Sequence, residues 1–181
     1  MPGCSDVVHI RRARPTDARA IAEVHVGTWR EAYHGLLPAS FLAGLSVETR
    51  ERFWSSELGV TPTERMPWLA ESGGQVVGFV SAGPARDVDA RPEVGEVYAI
   101  YVLPDCWDRG VGRDLLRHAE SDLRSHGYSA ATLWVLADNN RACRFYERSG
   151  WLRDGARTES IGGIELEELR YRLTLDRSRV D

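Results

Sequence analysis

Residues 102–116 (VLPDCWDRGVGRDLL) constrain this chain more than any other stretch. An apolar run, EVYAIYVLP, ends at Pro104, and a short polar turn follows. Arg109-Gly110-Val111-Gly112-Arg113 then leads straight into a helical pattern. Two glycines let the backbone bend and approach a ligand with no Cβ in the way. The first amides of the helix lack intrahelical partners and sit at the positive end of its dipole. A helix start of this kind cradles a phosphate or pyrophosphate. The flanking Arg109 and Arg113 add charge-assisted donors. A phosphorylated cofactor is therefore expected here.

Two common phosphate-binding loops do not fit. A dinucleotide fingerprint needs a third glycine, and Leu115 stands at that position. A nucleotide-triphosphate loop ends in Gly-Lys-Ser/Thr, and the chain has no lysine at all. Composition narrows the reading further. With 181 residues, 43% of them hydrophobic, the chain is long enough for one domain with a substantial core. No apolar run approaches the length of a membrane-spanning helix. The net charge is −4 and no basic block suggests nucleic acid. The N-terminus, MPGCSDVVHI, has no secretory pattern. Cys4, Cys106 and Cys143 lack metal-ligand spacing and read as reduced thiols, so a cytoplasmic protein without a bound metal is expected.

Along the chain, VHIRRAR (8–14) begins as a strand. Pro15-Thr16-Asp17 starts a helix carrying Ala20, Ile21 and Val24, and 28–35 is a second helix or its continuation. A further helix is expected over 46–58. PWLAES and QVVGFVSAG flank Gly73-Gly74, the strongest hairpin signal. Residues 96–103 form a mostly apolar strand of the kind buried on both faces. After the glycine loop, Val111, Leu115, Leu116, Ala119 and Leu123 make a helical stripe. ATLWVLA is another buried strand, 139–148 a short helix, and the chain ends in a hairpin around Gly162-Gly163. The pattern is one mixed α/β sheet with neither repeats nor a linker.

The second specific signal is 139–151, NNRACRFYERSGW. Ala142, Phe145 and Tyr146 share one helix face by their spacing. This segment resembles N-x-R-A-x-x-F-Y-E-x-x-G-[FW] of the GNAT superfamily of N-acetyltransferases, and the strand–R-G-x-G-R–helix order resembles that family's acetyl-CoA loop. The order of elements is similar from about residue 8 to 175. One departure stands at Trp107, where the family often has Gln or Arg.

The resemblance implies a single N-acetyltransferase domain over 1–181. Its fold is a mixed, mostly antiparallel sheet flanked by helices, with a splayed central strand pair. Acetyl-CoA would be the co-substrate. It would be bound by the Arg109–Arg113 loop, by Asn139, Phe145 and Tyr146, and by the backbone of Ile100, Tyr101 and Val102 acting as a strand edge for pantetheine. Tyr146 would protonate the leaving thiolate; read from spacing alone, it is equally a core tyrosine. Glu96, fourteen residues before Gly110, would be the base that deprotonates the amine, or else a strand-start glutamate facing solvent. His25, His34 and Tyr33 are alternatives for that task.

Trp29 and Tyr33 are expected to contact the acceptor, while Trp54 is readable as acceptor wall or core. Glu165 and Glu167 share a strand face that could hold a cation. The expected acceptor is a small-molecule primary amine. A protein or peptide amine, and a non-catalytic CoA-binding regulator on the same fold, are the rivals. Neither acyl chain length nor oligomeric state follows from the residues, and a homodimer is among the outcomes.

Overall fold

Two Gly-Gly turns set the register of much of the sheet. The structure, a computed structural model, describes residues 7–59 and 67–175. Gly73-Gly74 and Gly162-Gly163 all have positive φ, the condition for the tight hairpin turn whose twist matches its strands. The first joins β2 (Trp68–Ser72) to β3 (Gln75–Pro84), the second β6 (Leu152–Ile161) to β7 (Ile164–Thr174). With β1 (Val8–Arg12), β4 (Val94–Val102) and β5 (Ala130–Leu136), these strands form one seven-stranded sheet in the order β1-β2-β3-β4-β5-β7-β6. Only β4 and β5 are parallel. The helix that crosses between them, α4 (Val111–Ser125), begins at the glycine loop.

Helices cover both faces. α1 (Ala18–Ala32) and α3 (Val47–Gly59) pack Ala18, Ile21, Val24 and Trp54 on Leu69 and Phe79. Residues 28–32 continue α1 rather than forming a second helix, 33–35 turn away from it, and a short α2 (Ala39–Ala43) follows. On the opposite face, α4 buries Val111, Leu115, Leu116, Ala119 and Leu123, the stripe its sequence displays. α5 (Asn140–Arg148) adds Cys143 and Tyr146 to the same core. Close approach of α4 requires glycine at Gly78, where a Cβ would lie 3.0 Å from the Tyr101 carbonyl and 3.1 Å from Leu115.

The burial of β4 and the state of Cys106 need correction. β4 starts at Val94 and is not buried throughout: residues 98–101 are half-exposed. The cause is a missing neighbour, described below. Of the two readings of Trp54, the core one holds, since it is 5% exposed. Cys143 is a buried free thiol, but Cys106 is disulfide-bonded, because spacing along a chain does not tell which sulfurs meet in space. Cys4 lies outside the described residues. Among the described residues, no helix is long and apolar enough to cross a membrane.

Candidate active site

β4 and β5 pair only at Val94↔Ala130, Gly95↔Ala131 and Glu96↔Thr132. Beyond that point β4 stays with β3 as far as Val102↔Gly78, and β5 stays with β7 as far as Leu136↔Glu168. The two strands therefore diverge, and a cleft of about 1210 Å³ opens between them. The splay leaves backbone groups of β4 facing the gap. Leu103 N–H donates to the Val77 carbonyl at 2.8 Å, so strand alternation also turns the backbone of Tyr101 towards β3. Ile100 and Val102 then point into the opening. Of the three residues expected to bind pantetheine through the main chain, Tyr101 is the exception. The Val102 carbonyl already accepts from Trp107 Nε1 at 2.6 Å and Thr28 Oγ1 at 3.3 Å. Its N–H and the groups of Ile100 are what remain for a ligand strand.

At one end of the cleft stands the start of α4. Gly110 has φ 84, a left-handed conformation that a side chain disfavours. Gly110, Gly112 and Arg113 line the cleft, and the amides of Val111, Gly112 and Arg113 open the helix without intrahelical acceptors. Arg109 is exposed and does not line the cleft. Arg141 and Arg144, from α5, line it instead. Asn139 also lines it, but its Oδ1 accepts from Ala142 N–H at 3.1 Å and so caps α5. Only the amide nitrogen of Asn139 is left to face a ligand.

Tyr146 is both core and cleft. It is 7% exposed and packs against Phe145, Trp151 and Tyr171 at ring distances of 5.2, 6.3 and 6.0 Å, yet it lines the opening. Burial, and then the neighbouring Tyr101, push its phenol above the ordinary value. The Tyr33 phenol is raised by burial and by Tyr101 and Tyr146, and burial also raises Tyr101. Three phenols thus meet in mid-cleft, each holding its proton at neutral pH.

A β-bulge shapes the other end. Ser81 pairs with Ala99 and Ala82 with Val97, leaving Tyr98 as the extra residue. Beyond it lies Glu96, 3% exposed rather than facing solvent. Its carboxylate accepts from Arg86 N–H at 2.8 Å and from Arg86 Nη2 at 2.5 Å. The Arg86 guanidinium in turn stacks 4.1 Å over Tyr98. Glu168 also lines the wall and is held by Arg157 at 2.7 Å.

Glu165 and Glu167 share the face of Leu169 and Tyr171, which pack on the α4–α5 side, so neither reaches the cleft. Trp29 and Tyr33 do line it, with rings 4.9 Å apart. Behind them His25 packs against Tyr101 (5.0 Å) and Trp29 (5.5 Å). Its ring nitrogens have no partner among the described residues, and burial pushes its pKa down to about 3. His25 is therefore a neutral ring unsuited to taking a proton. His34 is exposed and lies outside the cleft.

A splayed parallel pair, a glycine-led helix start at its mouth and a buried tyrosine across the gap agree with the sequence of the whole chain. The sequence model of the acetyltransferase (GNAT) family matches residues 28–151. The chain belongs to that family. It is 33% identical to the uncharacterized N-acetyltransferase YuaI of Bacillus subtilis (strain 168), over 90% of this chain and 91% of that protein. It is 31% identical to the probable N-acetyltransferase Rv2775 of Mycobacterium tuberculosis, over 92% and 93%. Among solved structures, a putative acetyltransferase yncA from Salmonella typhimurium with acetyl-CoA superposes with a TM-score of 0.72 at 21% identity, covering 97% of this chain and 98% of that one. PaiA N-acetyltransferase from Thermoplasma acidophilum, in complex with coenzyme A, gives a TM-score of 0.68 at 17% identity, covering 93% and 99%.

Sequence reasoning missed Arg86, Arg141, Arg157 and Glu168. Each reaches the cleft through strand register or through a helix face turned towards the loop. No local motif marks Arg86, Arg157 or Glu168, whereas Arg141 stands in the N-x-R-A segment with no role read from it.

Proposed function

We propose that this N-acetyltransferase moves the acetyl group of acetyl-CoA onto the primary amine of a small molecule, by direct attack while both are bound. The observation that carries the reading is the single continuous cleft, which joins a pyrophosphate-type helix start to an aromatic chamber with Tyr146 between them. Neighbouring structures that hold CoA or acetyl-CoA support the choice of donor. The residues present fit such a ligand: the α4 amides, Arg113 and Arg144 suit phosphates, and the Ile100 and Val102 backbone suits an amide-bearing chain.

In this reading the amine nitrogen forms a C–N bond to the thioester carbon, the C–S bond breaks, the departing sulfur takes a proton from Tyr146, and the proton that the new amide nitrogen sheds restores the phenol. A phenol whose pKa is raised by burial keeps its proton until the thiolate appears. The amine must arrive neutral, having lost a proton of pKa near ~10. Glu96 is the proposed sink for that proton, acting against the competing hold of Arg86. Trp29 and Tyr33 contact the acceptor.

A small acceptor is favoured by a close contact behind Trp29. There Gly162, at the β6–β7 tip, packs so closely on Phe41 of α2 that a Cβ would lie 2.9 Å from its ring. Phe41 in turn lies 6.4 Å from Trp29. An extended peptide running on past Trp29 would meet this contact. The test is a panel of small amines and short peptides, following free thiol released from acetyl-CoA. Amine-dependent release with a small amine supports the reading. Tight CoA binding with no release for any amine would favour a regulator, and turnover with peptides only would favour a protein acceptor.

A further inference from the structure

Trp107 stands on the loop where a phosphate-binding side chain was expected, and two contacts fix it. Its indole N–H donates to the Val102 carbonyl at 2.6 Å, pinning the ring to the end of β4. Over its face, at 3.6 Å, lies the guanidinium of Arg141 from the first turn of α5. Stacking holds a guanidinium by its flat face and leaves the in-plane N–H groups directed outwards, in the fork that matches phosphate oxygens. Among the described residues the acidic neighbour of Arg141 is Asp108, at 3.6 Å with a side chain 93% exposed. A contact that long and that wet does little to match the charge. Trp107, Arg141, Gly110, Gly112 and Arg113 all line the same cleft. A cation partly withdrawn from water, stacked on Trp107 and with a long, exposed ion pair to Asp108, lines the same cleft as the start of α4.

We propose that Arg141, held over the glycine loop by Trp107, clamps the pyrophosphate of the donor. It supplies from α5 the charged donor that residue 107 does not supply from the loop itself. Trp107 is then a positioning residue that acts through Arg141. The inference rests on the acetyl-CoA reading above, and the experiment separates the two.

Dissociation constants are measured for CoA and for dephospho-CoA, which lacks the 3′-phosphate. S-acetylpantetheine, which lacks every phosphate, is compared as an acyl donor. Arg141→Gln is expected to weaken CoA and dephospho-CoA alike by about 10- to 100-fold, the worth of a charge-assisted pair, and to leave S-acetylpantetheine unchanged. Trp107→Ala should show the same loss, and the double variant no more than either alone, because both act through one contact. Since the Arg141 side chain is 42% exposed, Arg141→Gln keeps its fold and decides the matter even if Trp107→Ala does not. Unchanged CoA affinity in Arg141→Gln overturns the proposal. So does a penalty that vanishes with dephospho-CoA, which would put Arg141 on the 3′-phosphate. Wild-type protein that binds no CoA overturns the donor assignment itself, and the inference with it.

Discussion

The two halves of the cleft are built on different principles. The half proposed for the donor is made of backbone: the α4 amides, the edge of β4 that parts from β5 and one left-handed glycine, with Arg113, Arg141 and Arg144 around them. The half proposed for the acceptor is made of side chains from α1, β4 and the last hairpin, and Glu96 and Glu168 on its wall are each held by an arginine. A backbone site recognises a shape that every such enzyme must hold. A side-chain site can be changed residue by residue without disturbing the sheet. Substitutions should therefore divide cleanly, some costing donor binding and others costing only chemistry or acceptor choice.

The sharpest division is expected at Tyr146, which touches both halves. Tyr146→Phe removes a hydroxyl and almost no volume, so folding and CoA affinity should persist while kcat falls by about 10²–10⁴. The loss should shrink with an acyl donor whose thiol is a better leaving group. An equal loss with every donor would remove Tyr146 from proton transfer. Gly110→Val should act wholly on the donor side. A β-branched residue at φ 84 carries strain of about 1–3 kcal/mol, relieved by moving the very amides that face the phosphates. CoA should then cease to raise Tm, an effect that in the wild type follows from binding the folded state alone. A variant that is stable and binds CoA as before would show that the loop conformation is not what holds the donor.

The same division explains what could be read from the residues alone. Backbone sites leave local traces, so Gly110, Gly112 and the α4 stripe were legible, as were both Gly-Gly hairpins. The splay of β4 from β5 was implied only by resemblance, since no residue pattern announces where two strands part. The acceptor wall depends on register. Glu165 and Glu167 were the natural pair from alternation, but Leu136↔Glu168 and the burial of Leu169 and Tyr171 put Glu168 on the cleft face. Likewise nothing near Glu96 in sequence shows that Arg86 will bind it, since the two meet only across the β3–β4 loop.

Glu96→Gln tests whether the acceptor half contains a working base or only a structural ion pair. As a base, Glu96 matters most where neutral amine is scarce, so the variant should lose most activity at low pH and recover as pH rises. As a structural partner, its removal takes a carboxylate away from Arg86. That guanidinium is half in water, with a side chain 55% exposed, so the stability loss should fall below the few kcal/mol of a fully buried broken pair. A rate loss that is flat in pH and accompanied by a lowered Tm would assign Glu96 to the ion pair and leave the base elsewhere.

The smallest effect at neutral pH belongs to His25, and it separates the wall from the chemistry. Burial holds its pKa at about 3, against an ordinary value of 6.5. Between those two values the unfolded chain binds a proton that the native ring refuses, so stability is lost as pH falls from 6.5 towards 3 and is unaffected above 6.5. At pH 5 the cost is of the order of ~2 kcal/mol. His25→Phe keeps a flat ring among Trp29, Trp54, Phe79 and Tyr101 and removes two nitrogens that have no partner among the described residues. The variant should match or exceed wild-type stability at pH 7 and lose less of it at pH 5, with CoA affinity and kcat little changed. Thermal melts at the two pH values measure this directly. A large fall in kcat with stability intact would instead mean that the imidazole reaches the acceptor through the Trp29–Tyr101 wall, and that the acceptor half extends one layer deeper than its lining residues.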